Sequence, residues 1–105
     1  MIDERLADEL IMRTLGWRPA PDRYVKPSRG WIPRSKFRPL VDVRDALRLV
    51  DAVTRDYSLV ATPGGTFTAQ LRVAGRSGVA AGKSKARTIC LALAKALGII
   101  AGGRS

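Results

Sequence analysis

Thr66-Phe67-Thr68-Ala69-Gln70-Leu71-Arg72-Val73 places Phe67, Ala69, Leu71 and Val73 on one side of an extended chain and Thr68, Gln70 and Arg72 on the other. A period of two marks a strand with one dry face and one wet face. Before it, Tyr57–Ala61 reads as a second strand, and Pro63-Gly64-Gly65 between the two is a hairpin signal. After it, Gly75 and Gly78 bound a turn, and Val79-Ala80-Ala81 is expected to form a short third strand. From about Ser84 to Leu97 the period becomes helical. Ala86, Ile89, Cys90, Leu93, Ala94 and Leu97 share one face, and Gly98 stops the helix.

Two further helices precede the strands. Ile2, Leu6, Leu10, Ile11 and Leu15 recur at helical spacing, with Asp3, Glu4, Asp8 and Glu9 early in the run, where acids suit the helix dipole. These acids read as a negative solvated face, and Gly16 ends the helix. Asp42 opens a second helix as N-cap, with Asp45 at N3 completing a pair like a capping box. Val43, Ala46, Leu47, Val50 and Val53 form its apolar stripe. The expected fold class is α+β in the order α-α-β-β-(β)-α, a small antiparallel sheet packed against helices in a layered α/β sandwich. Residues 1–98 are expected to form one domain and 99–105 a flexible tail.

Between the first two helices, residues 17–40 carry prolines at 19, 21, 27, 33 and 39, which forbid a continuous helix or a central strand. A long, irregular or partly extended loop is expected. It holds Trp17, Tyr24, Trp31 and Phe37, and its cations Arg18, Arg23, Lys26, Arg29, Arg34, Lys36 and Arg38 face one acid, Asp22. Such rings in a small domain are expected to pin the loop to the core, with Tyr24 or Trp31 as candidates for stacking on bases.

Charge supplies the functional lead. The chain of 105 residues has 19 Lys and Arg against 9 Asp and Glu, a net charge of +10. From Tyr57 onward it carries Arg72, Arg76, Lys83, Lys85, Arg87, Lys95 and Arg104 and no carboxylate. Lys83, Lys85 and Arg87 crowd the start of the last helix, where unpaired N–H groups and the dipole already disfavour cations. Cations placed there suit a bound anion, phosphate above all. The surface charge fits nucleic acid, an anionic membrane surface or an acidic protein.

Other classes fall away on composition. The chain has no histidine, which removes the usual general base and any Cys/His zinc site. A single cysteine, Cys90, excludes an internal disulfide, suits a reducing compartment and falls on an apolar helix face as an inert thiol. No apolar run approaches the length of a membrane span, and a cytoplasmic protein is expected. Gly82-Lys83-Ser84 invites a phosphate-loop reading, but that motif needs glycine where this chain has Ser77, and no acid follows Asp56 to hold magnesium. The acids sit at solvated helical positions and caps, so no enzyme, metal or cofactor is expected.

Two resemblances add to this reading. Leu15-Gly16-Trp17, Trp31-Ile32-Pro33, Phe37-Arg38-Pro39-Leu40-Val41-Asp42, the two-strand segment and the closing helix Thr88–Gly98 resemble, over nearly the whole chain, the phage ABA sandwich domain family of small phage and prophage proteins. The resemblance implies an α/β/α layered domain in a phage-infected or lysogenic bacterium. The cation-rich approach to the last helix departs from that family's pattern. Residues 57–98 also resemble the end of a double-stranded RNA-binding domain, with Lys83, Ala86 and Arg87 at the spacing of its phosphate-clamping Lys-x-x-Ala-Lys run.

Taken together, these residues describe a small basic phage-type accessory protein that binds nucleic acid, DNA or RNA, through phosphates. Lys83, Lys85 and Arg87 form the expected centre. Arg72, Arg76, Arg23, Lys26, Arg29, Arg34, Lys36 and Arg38 support it. The alternative is a protein–protein inhibitor of a host defence complex, its basic face set against a host protein or ribonucleoprotein. No membrane partner is expected.

Overall fold

The computed structural model describes residues 2–100 of the chain. Helix α1 spans Ile2–Leu15 and buries Leu6, Leu10 and Ile11. It ends where Gly16 turns left-handed at φ +75° and donates its N–H to the carbonyls of Ile11 and Met12.

The stretch expected to be an irregular or partly extended loop pairs its extended parts into a small antiparallel sheet. Strands β1 (Arg18–Pro19), β2 (Arg23–Val25) and β3 (Trp31–Pro33) pair in that order, followed by a 3-10 turn at Arg34–Lys36. The prolines do not prevent this, because Pro19 and Pro33 lie on the two edge strands while Pro21 and Pro27 fall in connections. Trp17 and Phe37 pack with ring centroids 4.9 Å apart, and Tyr24 meets Phe37 edge-on at 6.3 Å. These three rings are buried and fasten the segment to the core, as expected.

Helix α2 (Val43–Val53) begins at the anticipated N-cap. The Asp42 carboxylate accepts from the N–H groups of Arg44 (2.8 Å) and Asp45 (3.4 Å). The reciprocal half of a capping box is not made, since Asp45 accepts from the Arg38 N–H instead, at 2.9 Å. Asp45 therefore ties the 3-10 turn's exit to α2.

The second sheet runs β4 (Tyr57–Ala61), β5 (Phe67–Val73) and β6 (Arg76–Gly82), all antiparallel neighbours. The third strand is longer than Val79–Ala81, because the turn lies earlier than expected, at Ala74 and Gly75, both with positive φ. Two such residues give the tight hairpin whose twist matches the strands. Gly78 then falls inside β6, opposite Leu71, where the backbone of α3 (Lys85–Leu97) comes so close that a Cβ would run into Ala92 and Ala96. Small residues on both sides, Gly78, Ala80 and Ala86, Ala92, Ala96, allow that approach.

Helix α3 packs on the inner face of this sheet, and α1 and α2 pack against α3 in turn. Burial on several sides explains why Thr88, Ala92 and Ala96 join the expected stripe in the core. The fold class is α+β with a sheet packed on helices. On the sheet's other face Ser58, Val60, Gln70, Arg72, Val79 and Ala81 are exposed, so the α/β/α layering implied by the family resemblance is realised on one side only. Ile99 and Ile100, assigned to a tail from sequence, are partly buried against the core. The rest of that tail, from 101, lies outside the described residues.

The two edges of this sheet differ. Ladder bonds at Arg72 N–H to Asp56 and Thr62 N–H to Thr66 mark the pairs joining β4 to β5, so the alternate residues Tyr57, Leu59 and Ala61 point their backbone groups away from the sheet. By the same alternation Ser77, Val79 and Ala81 present theirs at the β6 edge. There Lys95 on α3 donates from Nζ to the Val79 carbonyl at 2.9 Å. The β4 edge has no such cap among the described residues.

Candidate nucleic-acid interface

Lys83, Lys85 and Arg87 all fall at the start of α3, Arg87 two residues beyond Lys85 and so on another side of the helix. Strand β6 delivers Gly82 and Lys83 to the helix start, Ser84 caps α3 by accepting from the Arg87 N–H at 3.3 Å, and Lys85 is the first helical residue. Lys83 and Lys85 are exposed, and Lys85 Nζ stands 5.9 Å from the centre of the Phe67 ring. No acid occurs in the first turn of α3. The geometry gathers positive charge where backbone N–H groups also point outward.

Arg72 and Arg76 do not belong to that centre. Arg76 pairs with Val73 at the opposite end of the β5–β6 ladder from Gly82, about 20 Å away at ~3.3 Å per residue. Its guanidinium lies against Gly98, where α3 ends and a cation suits the dipole. Arg72 is near the same end, on the open face of the sheet. The length of β6, seven residues rather than the three expected, separates Arg76 from Lys83, and the antiparallel pairing of β5 puts Arg72 at the far end as well.

Two candidates from the aromatic stretch are structural. Tyr24 is 3 % exposed and donates its hydroxyl to Asp8 at 3.2 Å, so it has no face to offer a base. Arg34 reaches Asp8 with both terminal nitrogens, at 2.9 and 3.0 Å, donates from Nε to the Ala20 carbonyl at 2.7 Å and lies over the Tyr24 ring. It clamps the first sheet to α1. Asp8, read as part of a solvated face, is the half-buried anchor of that clamp.

Trp31 behaves differently. The pairing Arg18↔Val25↔Trp31 puts these three on one face of the first sheet, together with Arg23 and Pro33. Tyr24 and Ile32 occupy the opposite face, toward the core. Trp31 is 53 % exposed, and the Arg23 guanidinium lies 4.1 Å from its ring centre. Asp22 holds Arg23 in place through two bonds of 2.9 Å, and the Arg23 guanidinium in turn keeps the Asp22 carboxyl below the usual carboxylate range. Arg18 was no more than one of several loop cations in the sequence. Its place beside this platform becomes visible only with the strand register.

Of the remaining cations, Lys26 lies 5.3 Å over the buried Trp17, sharing that ring with Arg48 of α2 at 5.5 Å. Arg29 is exposed in the turn between β2 and β3, and Lys36 is exposed on the 3-10 turn. Arg38 borders a cavity of about 380 Å³ between Ala7, Phe37 and Val41, where Tyr24 and Arg34, both already paired, and Ser35 add polar groups. Cys90 is buried and donates its S–H to the Pro39 carbonyl at 3.3 Å, and burial pushes its pKa up to about 12. That suits the inert thiol expected. Among the described residues no helix is long and apolar enough to cross a membrane, and no three metal-ligating side chains cluster.

No protein-family model and no curated protein matches this chain, so neither family resemblance gains a match of its own. The fold is similar to that of a phage protein from Bacillus cereus ATCC 14579, solved by crystallography at 2.0 Å. The TM-score is 0.73 over 93% of this chain and 89% of that chain, at 15% sequence identity, and at that identity the likeness is one of fold.

Proposed function

We propose that this is a phage-type accessory protein that binds nucleic acid through phosphate contacts and carries out no chemistry on it. The observation that supports this most directly is the pair Lys83 and Lys85, exposed at the start of a thirteen-residue helix and in no ion pair among the described residues. Two cations in that place weaken the free helix and reward a bound anion. A net charge of +10 extends the attraction over the surface.

Salt titration tests the reading. On duplex DNA the log–log slope of affinity against salt is expected near −0.9 for each phosphate neutralised, so three contacts give about −2.7. A slope near zero, or no binding to duplex or single strand at low salt, defeats the proposal.

A second reading, an inhibitor of a host protein or ribonucleoprotein complex, is favoured by the uncapped edge of β4, which can accept a partner strand. Pull-down from host lysate with and without nuclease separates the two. A protein partner that survives nuclease supports the inhibitor, and loss of every partner supports nucleic acid.

A further inference from the structure

We infer that the outer face of the first sheet is a stacking site for an unpaired nucleobase, so that single-stranded nucleic acid is the class of ligand it takes. This rests on the nucleic-acid reading but uses residues apart from the α3 start. Three observations support it. Trp31 is the large aromatic left exposed on this sheet, at 53 %, while Trp17, Tyr24 and Phe37 are buried. Its indole already carries a cation over the ring, since Arg23 lies 4.1 Å from the ring centre and is bonded to Asp22 twice. A guanidinium on the ring strengthens its attraction for a further flat, polarisable partner. Finally, Arg18 shares the face two strands from Trp31, with Val25 between them, and Arg29 lies in the turn just ahead of Trp31, so cations lie on the path of a strand's flanking phosphates.

The chemistry explains the preference for single strands. A base inside a duplex has both faces stacked and cannot lie on an indole without being pulled out, whereas an unpaired base can. An arginine on one side of the indole and a base on the other make a three-layer stack. It needs no base-edge hydrogen bonds and so tolerates any sequence. An acidic polypeptide could meet the arginines, but it would leave the indole unused.

The test compares (dT)12, a twelve-base-pair duplex, heparin and polyglutamate, read by tryptophan fluorescence and by anisotropy of labelled ligand. The expected result is that (dT)12 quenches Trp31 emission while heparin binds without quenching. Trp31→Ala is expected to weaken (dT)12 by about tenfold, the contribution of one stacked base, and to leave duplex and heparin affinity unchanged. Trp31→Phe, which keeps a ring, recovers part of that loss and guards against misfolding of the alanine variant. If wild-type protein binds (dT)12 without quenching and Trp31→Ala binds it equally well, the stacking site is wrong and the phosphate reading survives. If polyglutamate binds as tightly as (dT)12 and loses as much on Trp31→Ala, the face belongs to an acidic protein. If (dT)12, duplex and heparin all fail to bind, the nucleic-acid reading itself falls, and the stacking site with it.

Discussion

Arg34 on the 3-10 turn holds Asp8 on α1 through two parallel hydrogen bonds of 2.9 and 3.0 Å, with about a quarter of each side chain exposed. This pair, with the Arg34 bond to Ala20, joins three chain segments far apart in sequence. Asp8→Ala leaves the guanidinium without its acceptor and is expected to cost about 1.5–3 kcal/mol in urea unfolding. Arg34→Lys is also expected to destabilise, because an ammonium cannot bond both oxygens and Ala20 together. Salt-dependent binding to duplex should survive Asp8→Ala under conditions where the variant is folded. Equal stability in wild type and Asp8→Ala would show that the clamp contributes nothing.

Gly78→Ala tests the close approach of β6 to α3. The added methyl collides with the backbone at Ala92 and Ala96, which has no rotamer by which to yield. A loss of about 3 kcal/mol or more is expected, with a thermal midpoint many degrees lower. Gly82→Ala, whose Cβ meets the Thr88 side chain at 3.0 Å, should be milder because a side chain can shift. A harmless Gly78→Ala would mean that the sheet and helix can separate without penalty.

Replacing Lys83, Lys85 and Arg87 together by Glu should move stability and binding in opposite directions. Acids at the start of α3 suit the dipole, and about 1–2 kcal/mol of added stability is expected at low salt, after loss of the Lys85 contact with Phe67. Binding to duplex and heparin should be abolished. Arg5→Glu with Arg13→Glu on α1 is the control and should change binding little. Unfolding of the triple variant, or normal heparin binding by it, would make the cluster structural.

Cys90 predicts an alkaline effect. Its pKa is about 12 in the fold against 9.0 for a free thiol, so from about pH 9 the unfolded chain releases a proton that the folded chain keeps. The stabilising contribution is complete below pH 9 and declines as pH rises toward 12, by up to about tenfold in the unfolding constant per pH unit. Cys90→Ala starts less stable, having lost the contact with Pro39, but should lack this component. Parallel stability curves for both proteins between pH 8.5 and 11 would count against it.

Where side-chain period and the chain's own punctuation agree, the elements follow from sequence. The alternation from Phe67 to Val73, the cap at Asp42 and the stop at Gly98 all fall where local chemistry puts them. The first sheet was hidden because strands of two or three residues are too short to show alternation and lie among prolines that usually signal loops. Gly78 misled for a related reason. Read as a turn glycine, it serves helix contact, a long-range requirement that leaves no local mark. The Lys83, Lys85 and Arg87 cluster was legible because it is contiguous along one helix start. The burial of Tyr24 and the pairing of Arg34 with Asp8 depend on segments that meet only in three dimensions, while the separation of Arg76 follows from a strand longer than its local pattern showed.

The ammonium of Lys95 over the Val79 carbonyl bears on assembly. A sheet with two open edges can be extended at both, and copies joined head to tail would grow without limit. Here a strand arriving at β6 must displace a charged side chain, while one arriving at β4 meets free backbone groups on a strand with no charged residue. Two molecules joined β4 to β4 use up the open edge of each. For this sheet, such a β4-to-β4 pair would leave outward only the β6 edges, each with Lys95 on its Val79 carbonyl.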